Sequence, residues 1–270
     1  MEKIREGIAM TTLGGSLFVR NAIQYDYCVK EAVASLAALC DEVFILDCQS
    51  DDGTTQMLGD YISENFSNVK YQTNGDWNCG KDYKKLATLA NACIKHLNTD
   101  WHFMLQADEV IHEDSFETIR KIINENKKVG RQTFAVRRFN LFGTVDHHIR
   151  FDLPQKPCSD QPVRIGTKGT KAKGDAESLE WTNIDKSHIN EILIYHYGYV
   201  RHDVQNIQKA VDMQSWFWGP GRENQVDGRL LTMRETGKWE PYKLLAESSV
   251  TPIPKPHPRF SKAWADERRK

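Results

Sequence analysis

Apolar and polar positions along the chain follow two rhythms, and the switch between them outlines the fold. Residues 7–13 read as a strand, and residues 24–39 as a helix with Val29, Val33, Leu36 and Leu39 near helical spacing. Residues 42–47 form the next strand. A helix over residues 52–65 starts from an acidic, hydroxyl-rich segment suited to capping. Residues 69–72 are a short strand, 75–81 a loop, and 82–97 a helix with Leu86, Leu89, Ala90, Cys93 and Leu97 on one side; 101–105 is a fourth strand. Strand and helix alternate throughout, which predicts an α/β fold with a mostly parallel central sheet flanked by helices.

Beyond residue 110 the pattern predicts a helix over 115–126, a long strand over 132–142, a polar proline-bearing stretch over 146–160 and a strand over 162–167. The Gly- and Lys-rich segment 168–177 reads as a mobile loop of the kind that closes over substrates. A last strand (191–196), a helix (203–218) and a proline-rich extended stretch (251–258) precede a basic tail. Residues 1–115 and 116–202 divide as two halves, and 203–270 as a helical and extended C-terminal region. No internal repeat or low-complexity segment is present.

Two strand ends carry the chemistry. The run Trp101-His-Phe-Met-Leu-Gln-Ala-Asp-Glu-Val110 breaks into an acidic pair, and Val43-Phe-Ile-Leu-Asp47 leads into Cys48-Gln-Ser-Asp-Asp-Gly-Thr54. Ligands of open α/β sheets bind where strands end, and carboxylates there suit a metal carrying a phosphorylated ligand.

Charge adds little: 36 Lys and Arg nearly balance 37 Asp and Glu over 270 residues, so no overall field recommends a polyanionic partner. The amino terminus lacks a signal-peptide pattern and no apolar run approaches bilayer-spanning length, which points to a cytoplasmic protein without a transmembrane segment. The six cysteines lie without a close pair, a pattern of buried thiols rather than of disulfides or metal clusters.

Four stretches carry a resemblance: Phe18-Val-Arg-Asn-Ala22, Leu46-Asp-Cys-Gln-Ser-Asp-Asp-Gly-Thr54, Leu105-Gln-Ala-Asp-Glu-Val110 and Ile194-Tyr-His-Tyr-Gly-Tyr-Val-Arg201. In order and spacing, from about residue 7 to 201, the chain resembles the family 2 glycosyltransferases of GT-A fold, especially a small bacterial and phage subgroup. The resemblance implies a metal-dependent, inverting transfer of a sugar from a nucleotide-diphosphate donor to an acceptor hydroxyl. It favours a UDP-sugar as donor, with a glycan, a protein or a modified nucleobase as acceptor. It implies Mn²⁺ or Mg²⁺ at Asp108, with Glu109 and His196 as further ligands, and donor contacts from Arg20, Asn21, Asp47, Asp52, Gln106 and Asp108. Asp47 would read the base, while Asp52 and Thr54 equally suit the start of a helix. Glu177, or Asp175 two residues away, would take the proton of the acceptor hydroxyl. Two departures stand out: Gln106 replaces the first Asp of the usual Asp-x-Asp, and Cys48 follows Asp47 where relatives carry an Asp pair.

Other residues divide between chemistry and packing. Lys81 stands near a helix start where a phosphate could bind. His147 and His148 are adjacent, so in a strand they would point to opposite faces and not readily share an ion, and Arg137 and Arg138 alternate likewise, leaving one for an acceptor groove. Trp216-Phe-Trp218 suits packing on the sheet or sugar stacking. The basic tail 259–270 suits a solvated end or an anionic acceptor. The rival enzyme is a sugar-nucleotide nucleotidylyltransferase, for which Leu13-Gly-Gly-Ser16 is a faint echo of a phosphate loop. A binding protein that keeps the fold and the nucleotide without turnover is the third reading.

Overall fold

The computed structural model describes residues 10–79, 84–126, 130–153, 159–218 and 249–269, and side chains up to residue 213 in the helix that ends at 218. Lys81 and the side chains of Trp216-Phe-Trp218 lie outside what is described. The chain runs β1 (Leu13–Val19), α1 (Val29–Leu39), β2 (Glu42–Asp47), α2 (Thr54–Asn65), β3 (Val69–Gln72), α3 (Lys84–Lys95), β4 (Trp101–Met104), β5 (Glu109–Ile111), α4 (Phe116–Glu125), β6 (Thr133–Ala135), β7 (Arg137–Phe142), β8 (Thr144–Ile149), β9 (Val163–Thr167), β10 (Ala172–Lys173), β11 (Ser178–Leu179), β12 (Ile184–Asp185), β13 (Leu193–Tyr199), α5 (Asp203–Trp218), β14 (Val250–Pro252) and α6 (Lys262–Glu267). It is a mixed α/β fold whose central sheet is flanked by helices. No described helix is long and apolar enough to cross a membrane.

The central sheet has seven strands in the order β12-β6-β9-β4-β1-β2-β3. β1 pairs in parallel with both β2 and β4, and β2 with β3, whereas β9 runs antiparallel to its neighbours β4 and β6. The chain first moves outward from β1 through β2 to β3 and then returns to the other side of β1 as β4. The crevice between the carboxyl ends of β1 and β4 is therefore the topological switch point, where open α/β sheets bind ligands.

A second sheet, β14-β8-β7-β13-β5, stands beside it. The chain leaves the first sheet at the end of β4 and joins the second at Glu109, so Gln106, Ala107 and Asp108 form the bend between them. The expected long strand 132–142 is two strands in different sheets, changing sheet at Val136. Within the stretch expected to be loose, β8 instead pairs with β7 and β14. Segment 168–177 is pinned rather than free: β10 pairs with β11, and Arg164 Nη1 donates to Ala176 O at 3.2 Å.

α1 buries Val29, Val33, Leu36 and Leu39 as its spacing predicted, together with Ala32. Residues 7–9 of the predicted first strand lie outside the described residues and 10–12 are not strand; β1 runs over Leu13–Val19, where small residues at its start hide it from a hydropathy reading. Gly14 faces a tight contact: a Cβ there would lie 2.6 Å from Thr99 Oγ1 and 2.9 Å from Leu97 Cδ1. Gly14→Ala should cost about 1–3 kcal/mol through overpacking, read as a lowered midpoint in urea unfolding. Leu13-Gly-Gly-Ser16 is thus strand, not a phosphate loop, and the echo of a nucleotidylyltransferase loses its structural basis.

His102 on β4 is buried, with Nε2 3.2 Å from Thr170 Oγ1. Burial pushes its pKa down to about 4. Because the unfolded imidazole binds its proton near pH 6.5, the native state is the less protonated one between these values. Stability should therefore fall as pH drops from 6.5 toward 4, by up to about 1.4 kcal/mol per pH unit from this group. Urea unfolding of wild type and His102→Gln across that range checks this; the wild type should show the steeper slope.

Candidate functional site

The loops after β1 and β2 are sewn together by the residues expected to contact the donor. Asn21, at φ 53°, donates its amide N–H to Ser50 Oγ at 2.8 Å and its Nδ2 to Asp51 Oδ1 at 2.7 Å. Asp52 accepts from Gln24 N at 2.7 Å and from Thr54 N at 2.9 Å, so it starts α2 while tying it to the first loop. Asp47 is fully buried and accepts from Ser50 N at 3.0 Å, Ser50 Oγ at 2.7 Å, Tyr71 Oη at 3.1 Å and Thr55 Oγ1. A carboxylate with these partners shapes the loop and has no edge left for a nucleobase. Arg20 reaches over the loop instead, donating to Cys48 O at 2.9 Å and lying 5.4 Å from the centre of the Trp77 ring. Lys85 lies over the same ring at 4.3 Å.

At the bend after β4 the acidic pair divides. Successive residues of an extended segment point in opposite directions. Glu109 is completely buried, and its Oε1 receives Arg138 Nη1 at 3.1 Å and Arg164 Nη2, while Oε2 accepts from Gln106 N at 3.0 Å. Burial opposes its ionisation, but Arg164 and Arg138 outweigh this and hold it below the usual carboxylate range. Arg138 also grips Glu177, which accepts from Ser159 N at 2.8 Å. Two glutamates and two arginines thus form a balanced network beneath the bend.

Asp108 meets different partners. Its Oδ2 takes Arg201 Nη2 and Lys209 Nζ (2.9 Å), and His196 Nε2 lies 3.7 Å away. Burial raises its pKa, yet Lys209, His196 and Arg201 prevail and hold it well below the usual carboxylate range. β13 delivers His196 and Arg201: it runs antiparallel to β5 with His196 opposite Glu109, and Tyr197 N donates to Asp108 O at 2.8 Å. Asn140 Oδ1 holds His196 Nδ1 at 3.0 Å. Glycine at 198 leaves room for that ring, since a Cβ there would lie 2.3 Å from His196 Nε2. α5 delivers Lys209 and is moored by Tyr25 Oη donating to Asp212 Oδ2 at 2.8 Å.

The structure therefore brings together Gln106, Asp108, His196, Arg201 and Lys209. The turn holding Asp175 and Glu177 borders this bend through a long Gln106 Nε2 to Ala176 O contact of 3.5 Å. Asp175 Oδ1 accepts from Glu177 N at 3.1 Å, and burial of Glu177 is outweighed by Arg138 and Ser159 N–H, leaving its pKa lowered. The sequence reading missed Arg201 and Lys209. Arg201 closes the His-Tyr-Gly-Tyr-Val-Arg stretch at a strand end, which was a usable signal; Lys209, one cation on an amphipathic helix, had none.

Of the residues expected to hold Mn²⁺ or Mg²⁺, Glu109 is sealed between arginines, and the Asp108 oxygen that faces His196 already carries two cations. Among the described residues no group of three His, Cys, Asp or Glu side chains is placed to hold a metal ion. A hard divalent ion needs carboxylate oxygen without competing positive charge, so the residues present do not fit the expected centre.

Of Arg137 and Arg138, one of which was expected at an acceptor groove, Arg138 is buried, and Arg137 lies 4.5 Å over Phe151 beside a groove of about 660 Å³ lined also by Phe139, Arg150 and Lys255. In the tail, Arg268 is docked against Asp26, Arg269 Nη2 pairs with Asp146 at 2.8 Å while remaining partly exposed, and Arg259 is exposed. The five described cysteines are free thiols.

No family model matches the chain, and no curated protein sequence matches it. Among solved structures, it is similar to the crystal structure of S. aureus TarS 1-349, at 14% identity and a TM-score of 0.44, covering 83% of this chain and 72% of that one. The same TarS segment in complex with UDP-GlcNAc aligns at 12% identity and a TM-score of 0.44, covering 84% and 73%. Its complex with UDP aligns at 11% identity and 0.44, covering 83% and 72%. Identities of this size transfer no residue roles.

Proposed function

We propose that the chain is a glycosyltransferase of GT-A type that moves a sugar from a nucleotide-diphosphate donor, a UDP-sugar in the favoured case, to an acceptor hydroxyl. The observation that carries this reading is the placement of two cations, Arg201 and Lys209, on one oxygen of Asp108 at the bend beside the switch-point crevice between β1 and β4. A departing diphosphate gathers negative charge, and fixed cations aimed at it stabilise the transition state without reorganising. Arg20 would serve the nucleoside side of the crevice, and Gln106 would hydrogen-bond donor hydroxyls where relatives use a carboxylate.

In an inverting transfer the acceptor oxygen attacks the anomeric carbon on the face opposite the diphosphate and gives its proton to a carboxylate. Asp175 and Glu177 sit in the turn against Gln106 and are the groups we assign to that proton. Glu177 would be the weaker base, because Arg138 keeps its carboxylate ionised and less basic.

The test is product analysis with a panel of nucleotide sugars and hydroxylated acceptors. The reading predicts release of nucleoside diphosphate and, by NMR, inversion at the anomeric carbon of the product. Release of pyrophosphate from a nucleoside triphosphate and a sugar phosphate, with no turnover of nucleotide sugars, would replace it with the nucleotidylyltransferase reading.

A further inference from the structure

Arg201 is a buried guanidinium with unfinished hydrogen bonding. Its side chain is fully enclosed, Nη2 reaches Asp108, and neither Nε nor Nη1 has a hydrogen-bond partner among the described residues. Leaving a buried donor unpaired costs about 1–3 kcal/mol, and more for a charged group. A fold that keeps such an arginine at a strand end stores binding capacity for an anion. Lys209 lies beside it: Tyr27 is flanked by both cations, Arg201 Cζ at 4.6 Å and Lys209 Nζ at 5.0 Å from the ring centre. A separate cavity of about 230 Å³ borders Arg201 between the turn at Gly143 and the start of α5; Asp203, Glu267 and Arg268 line it and Lys209 does not, so the anion site lies on the Lys209 side of the guanidinium. Both cations meet at a single oxygen, Asp108 Oδ2.

We propose that Arg201 and Lys209 are the diphosphate-binding cations of this chain, and that the donor binds and reacts through them without a divalent ion. The inference rests on the transferase reading for the identity of the anion. Arg201 supplies planar N–H donors and Lys209 a point charge, a complementary pair for the oxygens of a diphosphate. Asp108 holds both cations through one oxygen and so sets their separation. The positive charge that a metal would bring is already built into β13 and α5.

The experiment measures binding of inorganic pyrophosphate, UDP and UDP-sugars by calorimetry, in excess EDTA and in Mn²⁺, for wild type, Lys209→Met and Lys209→Arg. Arg201 is too buried for its removal to be a clean test, whereas the Lys209 side chain is 18% exposed, and a melting curve for each variant confirms folding. Wild-type affinities should agree within about twofold between EDTA and Mn²⁺. Lys209→Met should weaken pyrophosphate and UDP by about 10- to 100-fold, as loss of a charge-assisted hydrogen bond requires, and Lys209→Arg should recover most of it. Binding that appears only with Mn²⁺, or that Lys209→Met leaves unchanged, overturns the inference while leaving the transferase reading intact. Metal-free, Lys209-dependent pyrophosphate binding without turnover of any nucleotide sugar would sustain the anion site and sink the transferase. Absence of binding by any of these anions would overturn both.

Discussion

Glu109→Gln should destabilise the protein by about 3–5 kcal/mol, the largest stability effect expected of any single change at the site. The carboxylate is completely buried between Arg138 and Arg164, whose side chains are 1% and 0% exposed. The amide keeps the shape but removes the counter-charge that Arg138 and Arg164 share, with Glu177 still beside Arg138. Breaking a buried pair is far costlier than never having made it, because the orphaned charge keeps its desolvation penalty. The loss should also depend on pH. The Glu109 pKa is lowered in the folded state, so its contribution is present above the unfolded carboxylate value and disappears as pH falls through the folded one. Urea unfolding at neutral pH should separate wild type and variant widely, and the gap should close in acid. A change under 1 kcal/mol at neutral pH would mean that the arginines find other partners.

Asp108→Asn should lower transfer by about 100-fold or more while leaving affinity for UDP undiminished. The carboxylate fixes Arg201 and Lys209 through one oxygen, and displacement of such groups by about 1 Å costs on the order of 100-fold in rate. Removing a negative charge beside an anion site does not weaken anion binding, so the defect falls on turnover. The variant should also be less stable, because Arg201 loses its buried counter-ion, and both quantities are therefore read well below its melting temperature. If UDP affinity collapsed together with turnover, Asp108 would be holding the donor through something other than the two cations.

Much of the fold was legible because it rests on local periodicity. β2 and β3 fall at the predicted residues, and α1 buries the predicted face. β1 was misplaced because close packing demands glycine where hydropathy expects bulk. The stretch 132–142 was read as one strand because alternation continues through Val136, where the chain changes sheet. β8 was missed because its half-buried Asp146 and His147 resemble a loop.

The site was legible only in position. The ends of β2 and β4 declared themselves as polar breaks after apolar runs, and both border the crevice. What the Asp108–Glu109 pair does depends on partners far away in sequence, whereas Asp47 is held mostly from within its own loop. Asp47 is claimed by Ser50, Thr55 and Tyr71, Glu109 by arginines on β7 and β9, and Asp108 by cations from β13 and α5. No spacing rule connects Asp108 to Lys209, because tertiary packing alone makes them neighbours.

The central claim, that the donor occupies the crevice between β1 and β4, is tested most directly by hydrogen–deuterium exchange with and without saturating UDP. The account predicts slowed exchange in residues 20–22, 48–53, 105–109 and 201–209, with the groove over 137–152 unchanged. Protection confined to that groove, or the absence of protection despite measured binding, would contradict it.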